Sequence, residues 1–118
     1  MSQSHKLRPP KTASYPWGQM SWFANDDLKA GIGLSLAEMK VLSGHTSDAH
    51  IHDNCFEAIH VLSGSVLQSI GADEFVLSEG ETCVIPPGIV HFTTNRGPQD
   101  AILMLSYSVG TRNYTPAK

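Results

Sequence analysis

The sequence is poor in charged residues. They occupy 16% of its 118 positions, whereas roughly a quarter is usual in a globular chain. The formal net charge is −3, and hydrophobic residues make up 41%, enough to fill a core and to exclude an intrinsically disordered chain. With 8 Lys and Arg against 11 Asp and Glu, the chain lacks the positive charge of a nucleic-acid-binding protein. We therefore expect a folded domain with no nucleic acid partner.

Long hydrophobic runs and cysteines are scarce as well. Apolar stretches such as residues 101–105 fall far short of the ~18 residues of a membrane-spanning helix, so no membrane partner is expected. The N-terminal sequence MSQSHKLRPPKTAS has no apolar segment of the kind that directs secretion. Two cysteines, Cys55 and Cys83, cannot form the disulfide framework of a small secreted domain. These features predict a cytoplasmic protein with reduced thiols.

The length predicts a single domain with a short N-terminal extension. Residues 1–14 are polar and contain Pro9-Pro10, so we interpret residues 1–30 as an extended N-terminal arm and residues 31–118 as one domain. Aromatic residues concentrate in residues 15–23, YPWGQMSWF. Such rings favour packing over an apolar surface, and they could form the contact of a homodimer.

From residue 32 onward, short apolar runs alternate with turn sequences. Ala37, Met39 and Val41 alternate with charged Glu38 and Lys40, which is the period of two of a strand. Turn sequences such as Ser-Gly, Pro-Pro-Gly and Asn-Arg-Gly-Pro follow at short intervals. This spacing predicts an all-β fold, an antiparallel sandwich or barrel. The further predicted strands cover residues 58–62, 66–70, 75–77, 82–85, 90–94 and 101–107.

Histidines cluster in the middle of the chain. His50 and His52 are two positions apart in a predicted strand, so their side chains point to one face, roughly 6.5–7 Å apart. Glu57 follows after a four-residue turn, and a hairpin there would place it beside the pair. His91 follows a Pro-Pro-Gly turn and can supply a third imidazole if it faces inward. Three imidazoles and one carboxylate suit a first-row transition metal and leave positions open for substrate.

The remaining histidines are not expected to be ligands. His60 is three residues beyond Glu57 and should face the other side of its strand. His45 lies in a turn, and His5 lies in the N-terminal arm. Cys55 shares the parity of Glu57 and could lie near a metal, although a simple packing role is the preferred interpretation.

Two segments resemble the motifs of the cupin family. The first motif is G-x5-H-x-H-x3,4-E-x6-G, and the second is G-x5-P-x-G-x2-H-x3-N. Every fixed place is matched, with 15 residues between the motifs, by Gly44, His50, His52, Glu57 and Gly64 in the first and by Gly80, Pro86, Gly88, His91 and Asn95 in the second. The resemblance implies an antiparallel double-stranded β-helix, the cupin jelly-roll barrel, which is often dimeric. It also implies His50, His52, Glu57 and His91 as the ligands of a metal inside the barrel, and Asn95 as a turn residue.

The resemblance leaves the reaction open, because one fold carries many functions. The favoured interpretation is a small metal-dependent enzyme, of oxygenase, isomerase, lyase or cyclase type, that acts on a small organic substrate. Its cofactor would be one divalent transition metal, Fe, Mn, Ni or Zn. The alternative is a non-catalytic cupin that binds or senses a small ligand or metal. By strand parity, the cavity is expected to be lined by Ala37, Met39, Val41, Ile59, Val61, Phe92 or Thr93, and Met104.

Overall fold

The computed structural model describes residues 5–7 and 10–117, and the rest of the predicted arm (residues 1–4, 8 and 9) lies outside this range together with residue 118. The described residues contain strands and turns but no α-helix. No helix among them is long and apolar enough to cross a membrane. The strands are β1 (Lys11–Tyr15), β2 (Gly18–Ala24), β3 (Ser35–Val41), β4 (His50–Ile51), β5 (Glu57–Ser63), β6 (Ser65–Ile70), β7 (Asp73–Ser78), β8 (Thr82–Ile85), β9 (His91–Thr94), β10 (Ala101–Tyr107) and β11 (Thr115–Pro116).

The strands form two antiparallel sheets. The larger sheet has the order β1-β2-β3-β10-β5-β8, and the smaller has the order β11-β4-β9-β6-β7. Strands that are distant in sequence lie side by side, as β3 and β10 do. This arrangement confirms the predicted all-β jelly-roll barrel. All six runs and the alternating segment around residues 37–41 fall on observed strands.

The N-terminal segment differs from the prediction of an extended arm. β1 and β2 form a hairpin, and β2 pairs with β3, so residues 11–24 extend the larger sheet. The turn between them buries Trp17, and Met20 of β2 is buried in the core. These side chains therefore pack into their own barrel. The sequence hid this hairpin because Pro16 and Gly18 interrupt the apolar run where the chain turns.

The interior of the barrel changes character along its axis. Ala37, Met39 and Val41 of β3 are buried, as the alternation predicted. They pair in register with Leu105, Leu103 and Ala101 of β10, respectively. Toward the other end of the larger sheet, Tyr107 pairs with Glu57, and Glu57 pairs with Ile85. The apolar core thus gives way to a polar end, where the candidate site lies.

Candidate metal centre

The structure brings together the four side chains that the motifs single out. His50, His52, Glu57 and His91 each offer one ligand atom, and these atoms all lie within 4.8 Å of one another. His50 lies in β4, and His52 follows directly after that short strand. Glu57 begins β5 and His91 begins β9. Three of the four are buried and His50 is half-buried.

Glu57 reaches the histidines by a different route from the expected hairpin. β4 belongs to the smaller sheet and β5 to the larger one, so residues 52–56 cross between the sheets. Asn54 holds this crossing: its amide donates to the Thr111 carbonyl over 3.1 Å, and its Oδ1 accepts from the Asn113 backbone over 2.9 Å. The site is therefore built between the two sheets, and the C-terminal segment is fastened beside it.

Each of the three histidine rings is oriented by a backbone carbonyl. The Nδ1 atoms of His50, His52 and His91 lie 2.7, 2.7 and 2.9 Å from carbonyl oxygens of Asp48, Asn113 and Ile89 respectively. A carbonyl oxygen only accepts, so each Nδ1 carries the proton and donates. Each Nε2 atom can then offer a lone pair toward the centre of the cluster when it carries no proton of its own. This arrangement is typical of histidines that bind a metal through Nε2.

The Pro-Pro-Gly turn positions the third histidine. Gly88 has a φ of 81°, a conformation that side-chain-bearing residues rarely adopt. Its backbone N–H donates to the His52 carbonyl over 2.8 Å, which ties the two motifs together. Within the smaller sheet, His91 pairs with His50 in register, so their rings face the same interior.

Short distances and opposed charges shape the titration of the cluster. Glu57 Oε1 lies 3.3 Å from His52 Nε2 and 3.1 Å from His91 Nε2. Burial alone would raise the pKa of Glu57, but hydrogen bonds from these two rings outweigh it and lower that pKa to about 2. Burial lowers the pKa of His50 to about 4. Burial by itself would lower the pKa of His91, but the hydrogen bond to Glu57 outweighs this effect and raises that pKa above its ordinary value.

The donor set fits a divalent transition metal. The Nε2 atoms of His50 and His52 lie 3.0 Å apart, a distance at which two lone pairs repel unless a proton or a cation lies between them. A carboxylate and three imidazoles are ligands that such metals accept. Burial also raises the pKa of the nearby Cys55 thiol, and it raises the pKa of the Cys83 thiol to about 11. Neither cysteine therefore offers a thiolate ligand at neutral pH.

A cavity of about 280 Å³ adjoins the cluster. Met39 lines it, as strand parity predicted, and both Phe92 and Thr93 do, although parity had offered them as alternatives. Four other predicted lining residues are buried in the apolar core and do not line the cavity: Ala37, Val41, Ile59 and Val61. Met104 does not: in β10 the inward side chains are Leu105 and Tyr107. Both faces of β10 carry apolar residues, so alternation could not identify the inner one. The full lining is Tyr15, Trp17, Met20, Met39, Ser47, Asp48, His50, Glu57, His91, Phe92, Thr93, Leu105, Tyr107, Arg112 and Tyr114.

The C-terminal segment also contributes to the site, which the sequence did not indicate. Arg112 and Tyr114 line the cavity, and the Tyr114 ring stacks on His50 with ring centroids 4.5 Å apart. The only signal in the sequence is an arginine and a tyrosine in an otherwise polar tail, which is weak.

The other histidines and Asn95 lie where they were expected. His60 faces away from the interior, and its Nδ1 lies 2.7 Å from the Thr82 hydroxyl. His45 is exposed in its turn. Asn95 is buried and bridges its turn: its amide donates to the carbonyls of Val41 and Gln99, and its Oδ1 accepts from the Gly97 N–H. It is therefore a structural residue.

Comparisons with known proteins agree with this geometry. The family model described as "Cupin domain" matches residues 37–107, more than half of the chain. Germin-like protein 3-8 of Oryza sativa subsp. japonica is 35% identical over 82 residues, 65% of this chain and 36% of that protein. Oxalate oxidase 1 of Hordeum vulgare is 31% identical over 85 residues, 65% of this chain and 42% of that protein. The chain thus spans about two fifths of the length of these relatives.

Solved structures share the fold. An oxalate decarboxylase of Bacillus subtilis, whose structure is described with Mn(II) centres, superposes with a TM-score of 0.80 at 17% identity. The match covers 92% of this chain and 30% of that one. Both cupin motifs, the jelly-roll barrel and the family match point to one conclusion: the chain belongs to the cupin family.

Proposed function

We propose that this protein is a metal-binding cupin, in which His50, His52, Glu57 and His91 hold one divalent transition metal. The observation that carries the proposal is that three histidine rings, each fixed through Nδ1, present Nε2 toward one buried carboxylate. Iron, manganese, nickel and zinc all suit these ligands. Manganese is the first to test, because the Bacillus subtilis oxalate decarboxylase of the same fold has Mn(II) centres.

We further propose that the protein is a small metal-dependent enzyme acting on a small organic molecule, of oxygenase, isomerase, lyase or cyclase type. The cavity beside the cluster supports this, because its size suits a molecule of few heavy atoms. A bound metal would supply Lewis acidity and open coordination positions. The chain itself would enclose the molecule with aromatic rings and exclude water around the reacting group.

A non-catalytic cupin that binds or senses a small ligand is the second candidate. It is favoured by the small number of acid–base groups in the cavity. Outside the four clustered side chains, the one carboxyl group in the lining belongs to Asp48, which is exposed. A lining of this kind can bind a ligand without supplying a separate general acid or base.

Metal content tests the proposed site. The purified chain, loaded with Mn(II) and dialysed, should retain about one metal ion per chain, as one set of four ligands allows. His50→Ala should lose it, because one of the three imidazoles is removed. His60→Ala should retain it, because that ring faces away from the cluster. Equal retention by both variants, or a wild-type chain that cannot be loaded, would rule out the site.

Turnover separates the two candidate functions. Oxygen uptake and carbon dioxide release are measured for metal-loaded protein with a panel of small carboxylic acids, oxalate among them because two of the compared proteins are named for it. An enzyme should show turnover that disappears on metal removal. Saturable binding without any turnover would favour the non-catalytic candidate.

We also propose that the protein forms a homodimer. The outer face of the larger sheet supports this, since it exposes the aliphatic side chains of Leu36, Leu62 and Val84 on three of its strands. Exposed apolar patches of this kind mark association surfaces in soluble proteins.

A further inference from the structure

We propose that Arg112 binds the carboxylate of the substrate, and that the substrate is a small carboxylate bearing a second oxygen that faces the histidine cluster. The inference rests on the proposed function, because it names the substrate class of the same site. It concerns a residue outside both cupin motifs, in the segment between β10 and β11.

Three aromatic rings fix the position of the guanidinium group. Arg112 Cζ lies 4.6 Å from the ring centroid of Trp22 and 5.4 Å from those of Tyr107 and Tyr114. Contacts of a cation with aromatic rings are favourable, and those with partly buried rings are stronger because water is displaced. The rings thus hold the guanidinium in the cavity wall, and a side-chain hydrogen bond to Tyr107 adds to this placement.

One donor of Arg112, its Nε, is not satisfied within the described part of the chain. Its Nε is buried and has no hydrogen-bond partner among residues 5–7 and 10–117. The ion pairs found in this part of the chain join histidines to Glu57, and none involves Arg112. A buried donor without an acceptor is costly, so the site favours a ligand that supplies one. A carboxylate matches the planar fork of a guanidinium with two parallel hydrogen bonds.

Arg112 and the histidine cluster are separated by the width of one ring. Tyr107 contacts both groups, since its ring centroid lies 5.3 Å from that of His52 and 5.4 Å from Arg112 Cζ. Tyr114 does the same from the other side, with its centroid 4.5 Å from that of His50. A molecule of a few heavy atoms can therefore place one end at Arg112 and the other at the cluster. Dicarboxylates, 2-oxo acids and 2-hydroxy acids have this form.

The charges in the lining favour an anion. Glu57 is the buried carboxylate of the lining, and its negative charge is engaged by His52 and His91. Asp48, the other carboxyl group of the lining, is exposed to solvent. Arg112 therefore presents a positive charge that no carboxylate of the lining neutralises, and burial strengthens its attraction for an incoming anion.

Calorimetric titration with pyruvate tests the inference. Pyruvate carries a carboxylate and a second oxygen, and methyl pyruvate is its uncharged counterpart. Wild-type protein should bind pyruvate at least about tenfold more tightly than methyl pyruvate, and Arg112→Gln should lose this preference, because a charge-assisted bidentate contact is removed. Arg96→Gln is the matched control, since Arg96 lines a separate surface depression beside Leu67 and Val76. It should bind pyruvate as the wild type does.

Two further measurements keep the result interpretable. Arg112→Lys retains the charge but loses the planar fork, so it should bind pyruvate with an affinity between those of wild type and Arg112→Gln. If Arg112→Gln does not fold, judged by near-ultraviolet circular dichroism, the lysine variant carries the test. Metal content is measured on every sample, and each titration is repeated after chelation of the metal.

The outcomes separate the inference from the proposed function. An Arg112-dependent preference for pyruvate in a chain that cannot be loaded with metal would support the inference and overturn the metal site. A metal-loaded chain that binds pyruvate equally well with and without the Arg112 guanidinium would overturn the inference alone. Wild-type protein that binds pyruvate no better than methyl pyruvate, with or without metal, would also overturn it.

Discussion

Glu57 and His91 belong to different sheets, and Glu57 Oε1 lies 3.1 Å from His91 Nε2. Glu57 begins β5 of the larger sheet, and His91 begins β9 of the smaller one. Both side chains are buried. The pair therefore connects the two sheets at the polar end of the barrel, beyond the apolar core that connects them elsewhere. Removal of one partner of a buried pair is costly because the other is left without compensation.

The first prediction concerns the metal-free protein in acid. The pKa of Glu57 is about 2 in the folded chain, below its ordinary value of 4.5. A lowered carboxyl pKa stabilises the fold above pH 4.5, and this contribution is lost as the pH falls from 4.5 toward 2. We expect the free energy of unfolding, measured with urea after chelation, to decline over this range. Glu57→Gln should be less stable at neutral pH and decline less.

Glu74→Gln is the control for this acid dependence. Glu74 is exposed on β7, so its replacement should leave both the stability and its decline close to wild type. If Glu57→Gln and Glu74→Gln follow the same curve, the pair does not stabilise the junction of the two sheets.

The second prediction concerns Asn95, which joins its turn to β3. Its amide donates to the Val41 carbonyl over 2.9 Å and to the Gln99 carbonyl over 2.8 Å, in buried or partly buried surroundings. Asn95→Ala leaves these acceptors unpaired, at a cost on the order of 2–4 kcal/mol for two such groups. Urea unfolding at neutral pH should show this loss. Asn95→Asp keeps the acceptor for the Gly97 N–H but loses the two amide donor hydrogen bonds, so it should be nearly as destabilised. A loss of stability below about 0.5 kcal/mol in either variant, which is the range of ordinary surface changes, would contradict this account.

Some of the fold and site could be read from the sequence because the signals are local. β3 alternates strictly between inward and outward side chains, so Ala37, Met39 and Val41 were identified as interior. The spacing of His50 and His52 places them on one face, and the Pro-Pro-Gly turn marks the start of the strand that carries His91. The same alternation correctly predicted that His60 faces away from the interior.

The remainder depends on contacts between distant parts of the chain. β10 is apolar on both faces, because Ile102 and Met104 lie outward while Leu103 and Leu105 lie inward, so its parity was ambiguous. The crossing between sheets at residues 52–56 is no different in sequence from a hairpin loop. The position of Arg112 follows from the fastening of the C-terminal segment, which composition does not reveal.

The third prediction concerns Gly88 and the orientation of His91. Gly88 and Gly80 both have φ near 80°, and an added Cβ would meet no atom within 4 Å at either position. Alanine should therefore cost about 1–2 kcal/mol of stability at both, from backbone strain alone. Only Gly88 lies in the turn that aims His91 and donates to the His52 carbonyl.

Metal affinity should distinguish the two glycine variants. We expect Gly88→Ala to weaken Mn(II) binding severalfold, because a shifted turn displaces one imidazole, and Gly80→Ala to leave it close to wild type. Competition with a fluorescent chelator measures both affinities, and urea unfolding checks that the stabilities match. Equal metal affinities in the two variants would show that the turn does not position His91.

The fourth prediction concerns the homodimer. On the outer face of the larger sheet, Val84 pairs in register with Ala58, which pairs with Ser106, which pairs with Leu36. In this row of small and aliphatic side chains, Val84 is 57% exposed and Leu36 is 36% exposed. A lysine introduced into this row would have to lose its water shell when two chains associate, which is costly. Sedimentation velocity should therefore find wild-type dimers and Val84→Lys monomers.

Val76→Lys is the matched control for the dimer. Val76 lies on β7 of the smaller sheet and is 64% exposed, more than Val84. If exposed valine promoted association without regard to position, Val76→Lys should dissociate the dimer at least as readily as Val84→Lys. We expect it to sediment as the wild type does, because the row proposed as the interface lies on the other sheet. A wild-type chain that sediments as a monomer at every concentration would refute the dimer, and dissociation by Val76→Lys alone would place its interface on the smaller sheet.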